Sequence, residues 1–201
     1  MTQLKHLLIL ISILFTSYTK VCAQGYAIFD IVPDFALQDA LGDTTVHLYD
    51  FVDSNRVVVV VFTTQSCPYS QLYEERLIKL CKAYLDDPIQ FIWVNSNSPE
   101  NHEEERPISI KNRAKEMVYP FPYLMDPDKK IAHRFGVTKT PHAFVMKRVG
   151  ENLILYYAGG IDDDPSNPSP HQNYLKAAID AILINKSVVI KEAPVRGCRL
   201  N

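Results

Sequence analysis

Two cysteines carry the chemical interest of this chain. Cys67 stands in Thr63-Thr64-Gln65-Ser66-Cys67-Pro68-Tyr69-Ser70, where a β-branched run hands over to a helical pattern. Cys198 stands near the end, in Pro194-Val195-Arg196-Gly197-Cys198-Arg199. Pro68 suits the first position of a helix, where no amide hydrogen is required. A cysteine just before it meets free N–H groups and the positive end of the helix dipole, and both favour thiolate. Thiolate is the nucleophile of disulfide exchange and of peroxide reduction. The polar residues Thr63 to Ser66 and Ser70 predict an accessible thiol rather than a buried, inert one. Tyr69 is predicted to be exposed beside it, where it could touch a substrate. Ser70 occupies the place of the second cysteine in a CxxC dithiol. It is expected to cap the helix or to hydrogen-bond the Cys67 sulfur.

Those residues need a strand before them and a helix after. Arg56 to Phe62 is a continuous β-branched run, the pattern of a central strand covered on both faces. Residues 68–86 predict a helix, with Leu72, Leu77, Leu80, Cys81, Tyr84 and Leu85 at helical spacing. A second buried strand is expected at 89–94, and a helix near 108–118. The segment 99–107 between them reads as a solvated acidic loop. Two short strands around Leu41-Gly42-Asp43 fall in 34–48. Further on come an extended piece at 120–126, a short helix at 128–135 closed by Gly136, a hairpin of 142–147 and 152–158, and a helix at 174–184. The tail from Lys186 lacks helical periodicity. Two buried strands joined by a helix argue for a parallel βαβ unit, with the hairpin adding antiparallel strands. The fold class is α/β, a central mixed sheet flanked by helices.

The 201 residues suit one domain. The first 23 read as a secretory signal: Lys5, the apolar core Leu7 to Phe15, and a cut after Val21-Cys22-Ala23. The apolar run is too short for a good membrane span. Cleavage would remove Lys5 and Lys20 from the 21 basic residues, against 23 acidic, and move the net charge from −2 to −4. That balance argues against nucleic acid as a partner. The boundaries are then 1–23 for the signal, 24–185 for the domain and 186–201 for the tail. Export implies an oxidising compartment, in which three remaining cysteines are too few for a disulfide scaffold.

The strand, the Cys-Pro-Tyr-Ser turn and Gly136-Val137-Thr138-Lys139-Thr140-Pro141-His142-Ala143-Phe144-Val145 resemble the thioredoxin superfamily. More closely, the chain resembles the peroxiredoxin-like redoxins of the AhpC/TSA group. The matching stretches are PDFAL, SCPYSQLYEERL, IWVNSN, YPFPYLMD, GVTKTPHAFV, GGIDDDP and the terminal RGC, spanning residues 33 to 199. The resemblance implies a thioredoxin-like fold and a cis bond before Pro141. It places the Thr140 backbone beside Cys67, free to pair with an extended substrate chain. It also implies Cys67 as the attacking thiolate, with Pro68, Tyr69, Thr140 and Pro141 as substrate contacts. Thr64 stands at the threonine position of a peroxiredoxin. The proline of that motif would fall at Val60 and its arginine near Thr140 or Pro141, and both are absent. The buried acid of thioredoxin would fall at Val61 and is absent too. Neither parent mechanism is fully equipped.

A second thiol must therefore come from elsewhere if there is one. Cys81 lies 14 residues further along the same helix, roughly 21 Å away, beyond the reach of a disulfide. It is expected to be a buried core residue. The tail past the last helix can span roughly 45 Å when extended. Gly197 permits a close approach, and Arg196 and Arg199 favour thiolate. Cys198 is thus a candidate resolving thiol for Cys67, and similar redoxins often end in Gly-Cys. A frayed tail with an incidental thiol is the other reading. Three functions stay open: an exported thiol–disulfide oxidoreductase using Cys67 and Cys198, a weak thiol peroxidase using Cys67 and Thr64, or a binding module that keeps the groove without turnover. The partners expected are a protein or small-molecule thiol or disulfide, or peroxide, and an external thiol reductant. No cofactor and no metal are expected. Asp162 to Asp164 reads as a solvated turn, and His102 with Glu103 to Glu105 lacks ligand spacing. His142 is a candidate neighbour whose imidazolium could stabilise the thiolate. Trp93 is expected in the core.

Overall fold

The computed structural model describes residues 25–200 except 43, 54, 55 and 101. The proposed signal segment lies outside the described residues, apart from which the expected elements are present. In chain order they are β1 (Ile31–Val32), β2 (Ala36–Asp39), β3 (Thr45–His47), β4 (Val57–Thr63), α1 (Pro68–Ala83), β5 (Ile89–Asn95), α2 (Pro107–Met117) and β6 (Tyr123–Met125). Then follow α3 (Lys130–Phe135), β7 (Lys139–Thr140), β8 (His142–Val149), β9 (Asn152–Gly159), α4 (Tyr174–Leu183) and β10 (Cys198–Arg199). No helix among them is long and apolar enough to cross a membrane.

Eight strands form one mixed sheet in the order β1-β9-β8-β4-β5-β6-β2-β3. β4, β5 and β6 are parallel, and β8 runs antiparallel to β4. Every residue of β4 is buried, and its side chains alternate between two cores, as the period of two in a strand requires. Val57, Val59 and Val61 face one core with Tyr73, Leu77 and Cys81 of α1, Ile110 of α2, and Leu175 and Ile179 of α4. Val58, Val60 and Phe62 face the other, with Ile131, Ala132 and Phe135 of α3. Trp93 stacks on Phe121 in the first core, as expected. The continuous apolar run is explained: both faces of the strand are covered.

The buried face of α1 differs from the expected stripe. Leu72 and Leu85 are exposed, and Ser70, Tyr73, Glu74, Leu77, Ile78 and Cys81 point inward. The apolar count missed it because two polar residues sit on the buried face. Each has a partner there: Glu74 takes a two-pronged contact from Arg113 and the hydroxyl of Tyr119. Buried polar groups persist when hydrogen-bonded in this way.

The loop after β9 also departs from expectation. Asp162 is buried rather than solvated. It accepts the Tyr73 hydroxyl at 2.6 Å and pairs with Arg76, whose other nitrogen donates to the Asn167 carbonyl at 2.7 Å. The run of three aspartates hid this role, because the cation that draws one of them inside comes from α1. Breaking a buried ion pair leaves an uncompensated charge, at a cost of about 3 kcal/mol or more. Arg76→Ala is accordingly expected to lower unfolding free energy by about 3 kcal/mol in urea titrations, with Arg76→Lys intermediate.

Candidate active site

β4 ends at Thr63, and the chain crosses to α1 through Thr64, Gln65, Ser66 and Cys67. Cys67 is the N-cap of α1 in an extended backbone conformation, with Pro68 in the first turn, as the sequence predicts. The carbonyl of Cys67 accepts from the Gln71 N–H at 3.1 Å. Opposite it, β7 leads into a cis Thr140–Pro141 bond. The Cys67 sulfur lies 3.4 Å from the Thr140 carbonyl oxygen, an acceptor for the thiol when it is reduced.

The tail reaches this place. After α4 the chain runs beside the end of β9, where the Ala158 N–H donates to Lys191 and the Ala193 N–H donates to Ala158. A side chain on Gly159 would collide with Ala193 there. β10 then lies antiparallel on β7, with Cys198 opposite Thr140 and Arg199 opposite Lys139. The Leu200 N–H extends the ladder to the Thr138 carbonyl at 3.0 Å. Cys67 and Cys198 are joined by a disulfide with Cα atoms 5.9 Å apart, within the usual range. Gly197 makes the approach possible, because a methyl group there would run into the Thr140 carbonyl.

The sequence profile of the AhpC/TSA family matches residues 28–153. The chain belongs to the AhpC/TSA family. It is a thiol-based oxidoreductase with a thioredoxin-like fold. Among solved structures it is similar to a conserved protein from Geobacillus kaustophilus, at 30% identity over 88% of this chain and 92% of that one, with a TM-score of 0.79. A hypothetical protein from Sinorhizobium meliloti is similar at 31% identity over 88% and 95%, with a TM-score of 0.78. A peroxidoxin from Mycobacterium tuberculosis shares the fold at 17% identity over 78% and 94%, with a TM-score of 0.55. No curated protein sequence matches the chain significantly.

The structure departs from several of the expected roles. Cys67 is only 3% exposed, because the tail lies over it and the polar residues of its turn are bonded internally. Ser70 neither caps α1 nor bonds the sulfur. Its hydroxyl accepts weakly from the Thr64 N–H at 3.5 Å, since its position on α1 turns it inward beneath the turn. Thr64 is buried, and its hydroxyl is hydrogen-bonded to that of Thr140 at 3.2 Å. The Thr140 backbone is not free for an external chain, because β10 occupies it. Tyr69 is exposed at 39%. Cys81 is buried in the core, where desolvation pushes its thiol up to about 11.

His142 supplies no cation. Burial lowers it to about 4, and its Nδ1 has no hydrogen-bond partner. Its ring packs on Phe144, in a groove with Tyr26, Phe135 and the tail residue Val195. The alternation of β8 sends it away from the face that carries Cys67 toward Phe144. Arg148 at the far end of β8 is held by the Val52 carbonyl.

The residue that sequence reasoning missed is Glu105. It falls in the stretch that reads as a solvated loop, but it is fully buried beneath the cysteine turn. Its carboxylate accepts the Gln65 N–H at 3.0 Å, the Ser66 N–H at 2.9 Å, the Ser66 hydroxyl at 2.6 Å and the Asn95 amide at 2.6 Å. Burial pushes Glu105 up, but the donors from Ser66, Asn95 and Gln65 outweigh it and hold the carboxyl below its ordinary 4.5. The neighbouring exposed Glu103 and Glu104 masked it. The usable signal was Asn95 and Ser66, two donors with no apolar role.

A carboxylate lowered in the folded state stabilises at pH above its ordinary value, and that contribution is lost as pH falls below 4.5. Glu105→Gln is expected to cost about 2–3 kcal/mol at pH 7 by leaving a turn donor unpaired. It should also flatten the acid limb of stability, measured by urea unfolding at pH 7 and pH 4. Gly197→Ala is expected to leave the domain folded but to weaken the Cys67–Cys198 bond about tenfold in a thiol–disulfide redox buffer, since the tail can no longer seat on Thr140.

Proposed function

We propose that this member of the AhpC/TSA family is an exported thiol–disulfide oxidoreductase in which Cys67 attacks and Cys198 resolves. The observation that carries the reading is the Cys67–Cys198 disulfide seated on the Thr140–Pro141 platform. Reduced Cys67 sits at the N-terminus of α1, where the dipole favours thiolate. It attacks a disulfide sulfur of the substrate, a mixed disulfide forms, and the first substrate thiolate leaves. Cys198 then attacks Cys67, the internal disulfide closes, and the second substrate thiol is released. An external thiol returns the protein to the dithiol state. Once reduction lets β10 lift from Thr140, Thr140 and Pro141 would position the chain that carries the reacting sulfur, with Pro68 and Tyr69 at the entrance.

This arrangement supplies what Ser70 cannot. The second sulfur of the pair comes from residue 198, brought by the tail. A peroxide-reducing use of Cys67 draws its support from the family alone, and Thr64 already bonds Thr140. The reading of residues 1–23 as a secretory signal supports export, and a Cys67–Cys198 disulfide suits an oxidising compartment.

Peptide mapping of the mature protein tests the cycle. The reduced protein, given one equivalent of a disulfide-containing peptide, is expected to return the Cys67–Cys198 linkage, with Cys81 unmodified. Cys198→Ser is expected to stop at a mixed disulfide on Cys67 and lose at least about 90% of multiple turnover. A Cys198→Ser protein that turns over like wild type would remove the resolving role, and an inert Cys67 in the reduced protein would favour a binding module.

A further inference from the structure

A cavity of about 310 Å³ is lined by both cysteines of the disulfide. Besides Cys67 and Cys198 its walls include Ser66, Asn97, Ser98, His102, Lys129 and Arg199. Both full charges on that wall are positive, and no carboxylate lines it. That is unexpected on a chain with more acidic than basic residues.

Neither cation has an ion-pair partner among the described residues. Lys129 is half-buried and held in the left-handed region at φ 59°. Its backbone is fixed between the Asp126 carbonyl, which its N–H reaches at 2.9 Å, and the His133 N–H, which its carbonyl accepts at 2.9 Å. Arg199 lies directly opposite Lys139 in the β10–β7 ladder. Like charges at such a pair repel. Glu103 and Glu104 line a different cavity, which meets the disulfide cavity at Thr64. Glu105 lies behind Ser66 with its oxygens already filled by donors. Among the described residues, no carboxylate lining the cavity offsets these two cations.

We infer that the electron donor for this disulfide is a small anionic thiol, carrying a carboxylate a few bonds from its sulfur, which binds in this cavity against Lys129 and Arg199. The inference rests on the redox cycle proposed above and names the reductant class for the same site. The cavity has room for a small molecule, and Ser66, Asn97 and Ser98 offer further hydrogen bonds to a carboxylate. The donor thiolate RS⁻ attacks one sulfur of the Cys67–Cys198 bond. An RS–S bond forms, the protein S–S bond breaks, and the other cysteine leaves as thiolate. A second RS⁻ attacks the RS sulfur of the mixed disulfide, RSSR departs, and the remaining cysteine is released as thiolate. Two electrons pass from two donor thiols to the protein disulfide, and the two protons of the donor thiols are balanced by those the cysteine thiolates take up.

Three simple thiols test this on the full mature protein: 3-mercaptopropionate, 2-mercaptoethanol and cysteamine. Each rate of reduction, per thiolate, is divided by the rate at which the same thiolate reduces oxidised 2-mercaptoethanol, which removes differences in intrinsic nucleophilicity. The normalised rate is expected to run anionic above neutral above cationic. A factor of about three to ten should separate the two ends at low ionic strength, shrinking toward one in 0.5 M salt. Lys129→Gln with Arg199→Gln is expected to remove most of that preference, read as the ratio of the anionic to the neutral thiol within the same variant. A wild-type ratio at or below one overturns the inference and leaves the redox cycle standing. So does a ratio unchanged in the double variant, because the charge then acts from elsewhere. A disulfide that none of the three thiols reduces overturns the redox cycle and the inference together.

Discussion

The antiparallel seating of the tail on Thr140 is the constraint from which the rest of the site follows. It brings residue 198 to residue 67 across 131 positions of sequence. Closing so long a loop is worth about 5 kcal/mol to the folded state in the chain-entropy account. The backbone ladder by itself is short, two strand residues and one further N–H. Covalent closure is thus what holds the tail down, and reduction leaves a tail held only by a few hydrogen bonds and by its run beside β9. Gly159 and Gly197 serve the same end at two places, each by omitting a side chain where the backbone of the tail or of Thr140 must pass.

Beneath the sulfur the problem is a polar one. The turn from β4 to α1 carries N–H groups and hydroxyls into a buried position, where an unpaired donor is costly. Glu105 answers for several of them at once, and Asn95 completes its shell. The turn is therefore rigid from below, by a buried carboxylate, and closed from above, by the tail. The charges divide along the same line. The negative group is inside and satisfied, and the positive residues Lys129 and Arg199 line the cavity beside the disulfide. The sheet contributes by being inert: β4 is apolar on both faces, so the chemistry is confined to its end.

Much of this was legible in the sequence, because local rules govern it. The β-branched run of β4, the proline after Cys67, the turn at Gly136 and the hairpin at Gly150 each fix a local conformation through sterics or hydrogen-bond supply. Their order gives the mixed sheet. Chain length and helix rise alone removed Cys81 as a partner for Cys67. What the sequence could not supply was which polar residues lie inside. Glu105, Glu74 and Asp162 are acidic residues in stretches or runs that look solvated, and each is buried because its donors come from distant segments: Ser66 and Asn95, Arg113 and Tyr119, Arg76 and Tyr73. His142 failed as a cation because folding buries its ring against Phe144 and leaves its Nδ1 without a hydrogen-bond partner. By itself the sequence determined the main helices and strands, the α/β class and the place of Cys67 before a helix, which depend largely on interactions within a few residues. Only the tertiary structure decided that the tail lies on Thr140, that Cys67 is covered and paired, and which carboxylates are buried, because burial and pairing are set by groups that meet only when the chain has folded.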